Sequence, residues 1–161
     1  MNAVGLTLKV DTCTEEDIRS HLSTCSHQFS PPLGVRVDIG EYSKKLRRSA
    51  LTFEAWSNES LVGLVAAYIN AKDKSCFITN TSVLDEFAGR GVATSLLEAC
   101  LGRARAENVA TVSLEVSRDS RSAIRLYERF GFQVVDSRGD VLKMRRQLPA
   151  LRPPGDKGRD P

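Results

Sequence analysis

The chain has 161 residues, of which 41% are apolar and 27% are charged, and this size and composition favour one globular domain with a buried core. The 23 lysines and arginines outnumber the 20 aspartates and glutamates by only three, which is too small a surplus to indicate a nucleic-acid-binding protein. The sequence contains no secretory h-region and no apolar run of membrane-spanning length. We therefore expect a cytoplasmic protein that binds neither nucleic acid nor a membrane.

The cysteines and histidines do not indicate a metal site. The sequence has four cysteines without a CxxC motif, and these are Cys13, Cys25, Cys76 and Cys100. Cys25 lies two residues before His27, but the further ligands that a zinc finger needs at regular spacing are missing. Cys76 and Cys100 lie in apolar patterns that are typical of small core residues. We expect reduced thiols, as in the cytoplasm, and no metal.

The first fifty residues predict one strand and two helices. Residues 6–10 alternate between apolar and polar side chains, as in a strand. One helix is expected after Thr14 and another after Asp38, because an acidic residue follows each of these N-cap residues three positions later. The intervening residues 26–37 contain two consecutive prolines, which exclude a regular helix. We therefore predict a loop there.

Three strands follow and predict an antiparallel meander. Residues 51–56 alternate, residues 61–70 are apolar at nearly every position, and residues 76–83 form the next strand, with short polar turns between them. The continuous apolar run is typical of a strand that is covered on both faces.

After the meander, helical and strand periods alternate. Apolar residues of 92–104 fall on one helical face, 111–117 alternates, and 122–130 predicts a second helix with Gly131 as its left-handed terminator. Residues 132–136 and 141–147 predict two last strands. The order β-α-α-β-β-β-α-β-α-β-β implies an α/β (α+β) fold, with a mixed sheet of about seven strands and helices on both faces.

The end of the chain differs in composition from the rest. Residues 149–161 are rich in proline and glycine and lack any periodicity. We predict a folded domain over residues 1–148 and a disordered tail over 149–161.

One glycine-containing turn is a candidate anion site. Ala88-Gly89-Arg90-Gly91-Val92-Ala93 lies where a strand ends and a helix begins. Glycines let a backbone approach a ligand closely, and N–H groups at a helix start can bind a phosphate. The same glycines also suit an ordinary strand-to-helix turn, so the pattern by itself leaves both interpretations open.

Two further residues are candidates for chemistry. Tyr127 lies on the apolar face of a short helix, where a tyrosine is usually a core residue. Glu115 lies in an alternating strand that should be internal to the sheet, because it follows a crossover helix. In an internal strand a glutamate is less often exposed to solvent, and this favours a functional role for Glu115.

Two motifs resemble those of the GCN5-related N-acetyltransferase (GNAT) family. The glycine turn is similar to the family pattern Gln/Arg-x-x-Gly-x-Gly/Ala between a strand and a helix. The stretch Ser120 to Phe132, SRSAIRLYERFGF, is similar to the family pattern Asn-x-x-Ala-x-x-Leu-Tyr-x-x-x-Gly-Phe. The segment Leu114-Glu115-Val116 is also similar to ribosomal-protein alanine N-acetyltransferases within the family.

The resemblance implies a function and a set of site residues. It implies transfer of the acetyl group from acetyl-CoA to a primary amine, with Glu115 as base and Tyr127 as acid, and without a metal or a covalent enzyme intermediate. The acceptor is a small molecule, a protein N-terminus or a lysine. The residues expected to bind acetyl-CoA in the gap between residues 76–83 and 111–117 are Val83, Gly89, Arg90, Gly91, Val92, Ala93, Thr94 and Ser120.

Two departures from the family pattern leave a second interpretation open. Ala88 replaces the usual Gln or Arg, and Ser120 replaces the usual Asn. Both changes would suit a non-catalytic acyl-CoA-binding or regulatory domain, whereas Glu115 and Tyr127 favour an enzyme.

The sequence also leads to expectations about the acceptor and about assembly. We expect the acceptor pocket to be walled by residues 28–37, residues 38–48 and the turn at 137–140. Three acidic residues are candidates to bind a cationic acceptor: Glu41, Glu54 and Asp140. An edge strand near the C-terminus makes a homodimer plausible.

Overall fold

A seven-stranded mixed sheet organises residues 5–150, the part of the chain that this computed structural model describes. The strand order is β1-β2-β3-β4-β5-β7-β6, and only β4 and β5 are parallel neighbours. The strands are β1 (Thr7–Val10), β2 (Leu51–Ser57), β3 (Ser60–Asn70), β4 (Ser75–Val83), β5 (Thr111–Ser117), β6 (Gln133–Arg138) and β7 (Val141–Gln147). The helices are α1 (Glu15–Cys25), α2 (Leu33–Arg36), α3 (Ile39–Ser49), α4 (Val92–Ala106) and α5 (Arg121–Arg129). The predicted fold class, meander and seven strands are confirmed.

Both predicted N-caps form. The Thr14 hydroxyl accepts a hydrogen bond from the Asp17 N–H at 3.1 Å, and the Asp17 carboxylate accepts one from the Thr14 N–H at 2.8 Å. Asp38 accepts from the N–H of Glu41 at 2.8 Å. Such caps satisfy N–H groups that the first helical turn leaves without partners.

The loop prediction for residues 26–37 is wrong in part. Ser26–Gln28 forms a 3-10 turn and Leu33–Arg36 forms the short helix α2. Pro32 is the N-cap of α2, and a proline is tolerated there because its missing N–H would have had no helical partner. The prolines therefore exclude only a continuous helix through this segment.

Helices cover both faces of the sheet, as the order of elements predicts. α4 and α5 pack on one face, where Val65 and Ala67 of β3 are buried. α1 and α3 pack on the other, which buries the alternate β3 residues Leu64 and Ala66. Gly63 lets α4 lie close to β3, because a Cβ at this position would come within 2.7 Å of a Val92 methyl carbon.

A fully buried carboxylate ties the loop between β1 and α1 to β2. Glu54 of β2 accepts hydrogen bonds from the N–H and hydroxyl of Thr12 at 2.8 and 2.5 Å and from the N–H of Cys13 at 3.1 Å. The Thr52 hydroxyl donates at 2.7 Å and the Trp56 indole N–H donates at 3.0 Å. Burial raises the pKa of Glu54, but these hydrogen bonds lower it more, so that the pKa lies below its usual range.

Strands β4 and β5 separate halfway along their length. Their pairing ends at Ile78 and Leu114, and a bulge in β4 follows, because Ala67 and Ala66 of β3 pair with Ile78 and Asn80. A bulge bends its strand and ends regular pairing. The Tyr42 hydroxyl holds the bulged residue: it lies 3.0 Å from the carbonyl and 2.8 Å from the hydroxyl of Thr79. The separation opens a cleft through the sheet.

The predicted tail, residues 149–161, lies outside the described residues except for Pro149 and Ala150, so the domain boundary stays a prediction. Within residues 5–150, no helix is both long enough and apolar enough to cross a membrane.

Candidate active site

The separation of β4 and β5 produces a cavity of about 1200 Å³. The N-terminus of α4 and the preceding turn line one end, and residues from 28 to 37 line another. Nine of the ten residues predicted from the sequence line this cavity, and they are Val83, Gly89, Gly91, Val92, Ala93, Thr94, Glu115, Ser120 and Tyr127. The tenth, Arg90, does not.

The glycine turn presents an open helix N-terminus to the cavity. Gly89 and Gly91 have φ of +74° and +78°, a backbone conformation that costs other residues energy. Gly91 is the N-cap of α4, and no side chain caps this helix. A Cβ at either glycine would meet no atom within 4 Å. The turn therefore leaves both the space and the N–H groups that an anion needs.

Arg90 does not line the cavity but contacts a residue that does. Its guanidinium carbon lies 5.4 Å from the centre of the Phe87 ring, and Phe87 itself lines the cavity. Arg90 is therefore held at the rim by a cation–π contact, where its charge adds to the potential of the site without forming its wall.

Tyr127 enters the site from the face of α4 and α5. It is buried, and its ring packs edge-to-face on Phe132 with 6.0 Å between the ring centres. Burial raises the pKa of Tyr127, and the nearby Thr81 hydroxyl opposes this rise only in part. The Thr81 hydroxyl is buried without a hydrogen-bond partner among residues 5–150. Tyr127 and Thr81 both line the cavity.

Glu115 lies on the opposite face of the sheet. Val112, Leu114 and Val116 of β5 are buried in the core under α4, and alternation directs Glu115 to the other side, where it is exposed to the cavity. Lys143 of β7 is its direct cross-strand neighbour. The cleft therefore has a carboxylate on one face and a tyrosine hydroxyl on the other.

Ser120 and Val83 occupy positions that suit hydrogen bonds to a ligand. Ser120 is the N-cap of α5, but its side chain makes no cap hydrogen bond. The Leu84 N–H bonds to Val62 of β3, so that the N–H and carbonyl of Val83 point the other way, into the cleft.

Sequence reasoning missed a polar network behind the cleft. Asn80 and Ser82 line the cavity and are hydrogen-bonded at 2.8 Å. The buried ring of His21 contacts the Ser82 hydroxyl at 2.9 Å and the Leu61 carbonyl at 3.0 Å. Burial lowers the pKa of His21 to about 4, and the neutral ring supports the cleft wall without carrying charge. No sequence pattern signals this network, because α1 brings His21 to Ser82 across 61 residues of sequence.

The three acidic residues expected to bind a cationic acceptor do not line the cavity. Glu54 is buried in its own hydrogen-bond network on β2. Glu41 is paired with Lys44 at 3.7 Å on the surface. Asp140 is exposed in the β6–β7 turn. The expectation is wrong for Glu54, because charge type alone carries no information about which side chains tertiary packing buries. For Glu41 and Asp140 it stays a prediction.

The cavity fits acetyl-CoA. The open turn at Gly89 and Gly91 suits a pyrophosphate, the unpaired edge of β4 suits an amide-bearing chain, and the unpartnered Thr81 hydroxyl offers a polar contact near Tyr127. No group of His, Cys, Asp and Glu side chains within residues 5–150 is arranged to hold a metal ion.

The chain and its fold are similar to known acetyltransferases. The chain is similar to N-alpha-acetyltransferase 30 of Schizosaccharomyces pombe, with 27% identity over 119 residues that cover 66% of this chain and 79% of that protein. The structure is similar to the ribosomal-protein-S18-alanine N-acetyltransferase of Escherichia coli, with a TM-score of 0.73, 16% identity, and coverage of 92% of this chain and 98% of the other. It is also similar to the PaiA N-acetyltransferase of Thermoplasma acidophilum in complex with coenzyme A, with a TM-score of 0.70, 16% identity, and coverage of 88% and 99%.

The family profile settles the classification. The acetyltransferase (GNAT) family matches residues 15–132, which is most of the described chain. The protein belongs to this family and is an acetyl-CoA-dependent N-acyltransferase.

We expect Gly91→Ala to weaken acetyl-CoA binding about tenfold, because its Cβ enters the space where the phosphates approach the backbone. The left-handed φ adds a stability cost of about 1 kcal/mol. Gly139→Ala is the matched control, since Gly139 has a φ of +57° and no atom within 4 Å of a Cβ but lies in the β6–β7 turn. Calorimetric titration with coenzyme A should show equal affinity for Gly139→Ala and wild type. Equal affinity for Gly91→Ala would remove this turn from the binding site.

Proposed function

We propose that the protein acetylates a primary amine by direct attack on acetyl-CoA, with Glu115 as base and Tyr127 at the leaving sulfur. The observation that carries the proposal is that these two side chains line one cavity from opposite faces of the sheet. An acceptor that enters past Glu115 would meet a thioester held beside Tyr127.

The acetyl-CoA contacts follow from the same geometry. The backbone of Val83 pairs with the amide-bearing arm, and the N–H groups at the start of α4 bind the pyrophosphate: Gly89, Gly91, Val92, Ala93 and Thr94. Arg90 supplies positive charge from the rim, and this compensates for the side chain that Ala88 lacks. The Ser120 hydroxyl, which makes no cap hydrogen bond to α5, donates one hydrogen bond to the ligand where the family usually has an asparagine amide.

The reaction needs two proton movements. Glu115 takes one proton from the acceptor ammonium, directly or through water, and returns it to solvent. The amine nitrogen then forms a bond to the acetyl carbon while the carbon–sulfur bond breaks, and backbone N–H groups of β4 stabilise the carbonyl oxygen. The Tyr127 hydroxyl donates a hydrogen bond to the departing sulfur. The second proton of the nitrogen ends on that sulfur, and the products are an N-acetyl amine and free coenzyme A.

The protein N-terminus is the acceptor that we place first, ahead of lysine side chains and small amines. The names of two of the similar proteins, an N-alpha-acetyltransferase and a ribosomal-protein alanine N-acetyltransferase, support this choice. The four buried free thiols support a cytoplasmic location. The edge strand β6, with Val134 and Val135 about half exposed, supports the homodimer.

We expect Glu115→Gln to lower kcat/KM for the amine about 10²-fold at neutral pH, because the base that frees the nucleophile is lost. Release of free thiol should be followed with a panel of N-terminal peptides, lysine peptides and small amines. Glu98→Gln is the matched control, because Glu98 is exposed on the outer side of α4 and does not line the cavity.

The outcomes separate the candidate functions. Wild-type activity in Glu115→Gln would assign the base elsewhere, for example to water. Coenzyme A binding without thiol release for any acceptor would favour the non-catalytic acyl-CoA-binding domain that Ala88 and Ser120 left open. Release with lysine peptides only would remove the N-terminal preference.

A further inference from the structure

Two consecutive side chains attach residues 26–37 to the end of β4. The Gln28 side-chain amide donates one hydrogen bond to the Val83 carbonyl and another to an Asp85 carboxylate oxygen, both at 2.7 Å. The His27 ring lies 2.7 Å from the second Asp85 oxygen. The contact spans more than fifty residues of sequence, so that it joins two separate parts of the cavity wall.

Residues 26–37 carry a separate part of the cavity wall from the glycine turn. Phe29, Leu33, Arg36 and Val37 all line the cavity. Leu33 is buried in the core under α1 and α3, whereas the others are at least partly exposed. Only short elements support this wall, a 3-10 turn and a four-residue helix. Contacts to a firmer element are needed to fix its position.

The end of β4 and the turn after it form that firmer element, and they carry Val83 and Asp85. Val83 is the last residue of β4, whose other edge pairs with β3 on both sides of the bulge at Thr79. Asp85 begins the 3-10 turn that leads into the glycine turn. The Val83 carbonyl lies at the cleft, where β5 has already departed, and Gln28 takes the place of the missing strand as its partner. A carbonyl oxygen has two lone pairs, so this bond leaves room for one from a ligand amide.

Gln28 differs from His27 in how its bonds depend on pH. The His27–Asp85 contact is an ion pair only when the ring is protonated, and both groups are largely exposed. Both bonds of Gln28 come from a neutral amide, and the one to the Val83 carbonyl involves no titratable group. The hydrogen bond from Gln28, and to a smaller extent the one from His27, place the pKa of Asp85 below its usual range.

We propose that Gln28 is a positioning residue of the acetyl transfer, which sets the acceptor wall of residues 29–37 against the strand and turn that bind acetyl-CoA. This inference rests on the proposed function, because it assumes that the acceptor enters along this wall. It assigns Gln28 to acceptor binding and leaves the affinity for acetyl-CoA and the chemical step unchanged.

The test is Gln28→Met, which keeps the length of the side chain and removes both donors. The expected result is an acceptor KM about tenfold higher, equivalent to about 1.4 kcal/mol and to the usual worth of a hydrogen bond. The single-turnover rate at saturating acceptor and the dissociation constant of coenzyme A should stay within twofold of wild type. A role in folding alone would not separate KM from these two quantities.

Asp85 variants provide the conservative comparison. Asp85→Asn keeps an oxygen that accepts from Gln28, and its acceptor KM should stay within threefold of wild type. Asp85→Leu removes that acceptor and should reproduce part of the KM increase. Gln133→Met is the control for the substitution itself, since Gln133 is exposed at the start of β6 outside the cavity.

Hydrogen exchange tests how firmly residues 29–37 are held, independently of enzyme activity. In Gln28→Met, backbone amides of residues 29–37 should exchange at least fivefold faster than in wild type, whereas those of β4 and α4 should not change. Unchanged acceptor KM and exchange would overturn the proposal, as would tighter coenzyme A binding, which would make Gln28 a competitor of the cofactor. Failure of the proposed function is distinguishable, because wild type would then release no thiol with any acceptor.

Discussion

Tyr127→Phe should lower the single-turnover rate of acetyl transfer about 10²-fold, with the dissociation constant of acetyl-CoA changed by less than twofold. The substitution removes one hydroxyl and keeps the ring on Phe132, whose centre lies 6.0 Å away. The fold should therefore be preserved. A single-turnover measurement is needed, because slow product release would hide a loss in the chemical step.

The expected role of Tyr127 is hydrogen-bond donation. An unperturbed tyrosine, with a pKa of about 10, is a weaker acid than a thiol of about 8.5, so that complete proton transfer is uphill by ~2 kcal/mol. Burial raises the pKa of Tyr127 further. The hydroxyl therefore stays protonated between pH 6 and 9, and the rate should show no loss from tyrosine ionisation in that range.

Tyr68→Phe is the matched control for this experiment. The Tyr68 hydroxyl is buried without a hydrogen-bond partner among residues 5–150, and Tyr68 does not line the cavity. Its loss should change the rate by less than twofold. A Tyr127→Phe rate within threefold of wild type, with an acceptor that wild type uses well, would remove Tyr127 from the chemistry.

Glu54→Gln should lower the free energy of unfolding by about 3 kcal/mol at pH 7 while the folded variant keeps its activity. Five donors on Thr12, Cys13, Thr52 and Trp56 point at this carboxylate. An amide places its own N–H groups against some of them, which leaves buried donors unsatisfied. The residue is fully buried, and it does not line the cavity.

The pH dependence has a definite sign. The pKa of Glu54 is lowered in the folded state from its ordinary value of 4.5, so the unfolded chain binds more protons than the folded one just below that pH. The stabilisation is fully present above pH 4.5 and is lost as the pH falls through the folded-state value. The difference in stability between wild type and Glu54→Gln should therefore shrink as the pH falls below 4.5.

His21 should cause a second loss of stability at low pH, which wild type and Glu54→Gln share. Its pKa falls from 6.5 to about 4 on folding, and the unfolded chain therefore binds an extra proton between these values. Denaturant titrations from pH 7 to 3 should show stability decreasing from pH 6.5 downward in both proteins. Glu59→Gln, at an exposed position of the β2–β3 turn, should follow wild type throughout. A constant difference between Glu54→Gln and wild type down to pH 3 would contradict the assignment to Glu54.

Local patterns determined most of the fold. The apolar period distinguishes 51–56 and 111–117 as strands from 92–104 as a helix, because side chains repeat every 2.0 residues in one and every 3.6 in the other. The caps at Thr14 and Asp38 and the terminator at Gly131 follow from bonds and dihedrals within a few residues. The glycine turn and the Tyr127 motif could also be predicted from local sequence, since each is one continuous stretch.

Only tertiary structure decided which side chains meet at the cleft. Arg90 fitted the motif but rests on Phe87 at the rim, and Glu54 had the right charge but lies in a buried network. Gln28 and the Tyr42–Thr79 contact had no signal in the sequence, because their hydrogen bonds cross 37 or more residues. A periodic pattern specifies the face that a side chain occupies, whereas its partners depend on how the faces pack and where β4 leaves β5. The sequence by itself therefore determined the family, most of the elements and the two candidate catalytic residues, and the folded sheet determined which side chains these residues meet.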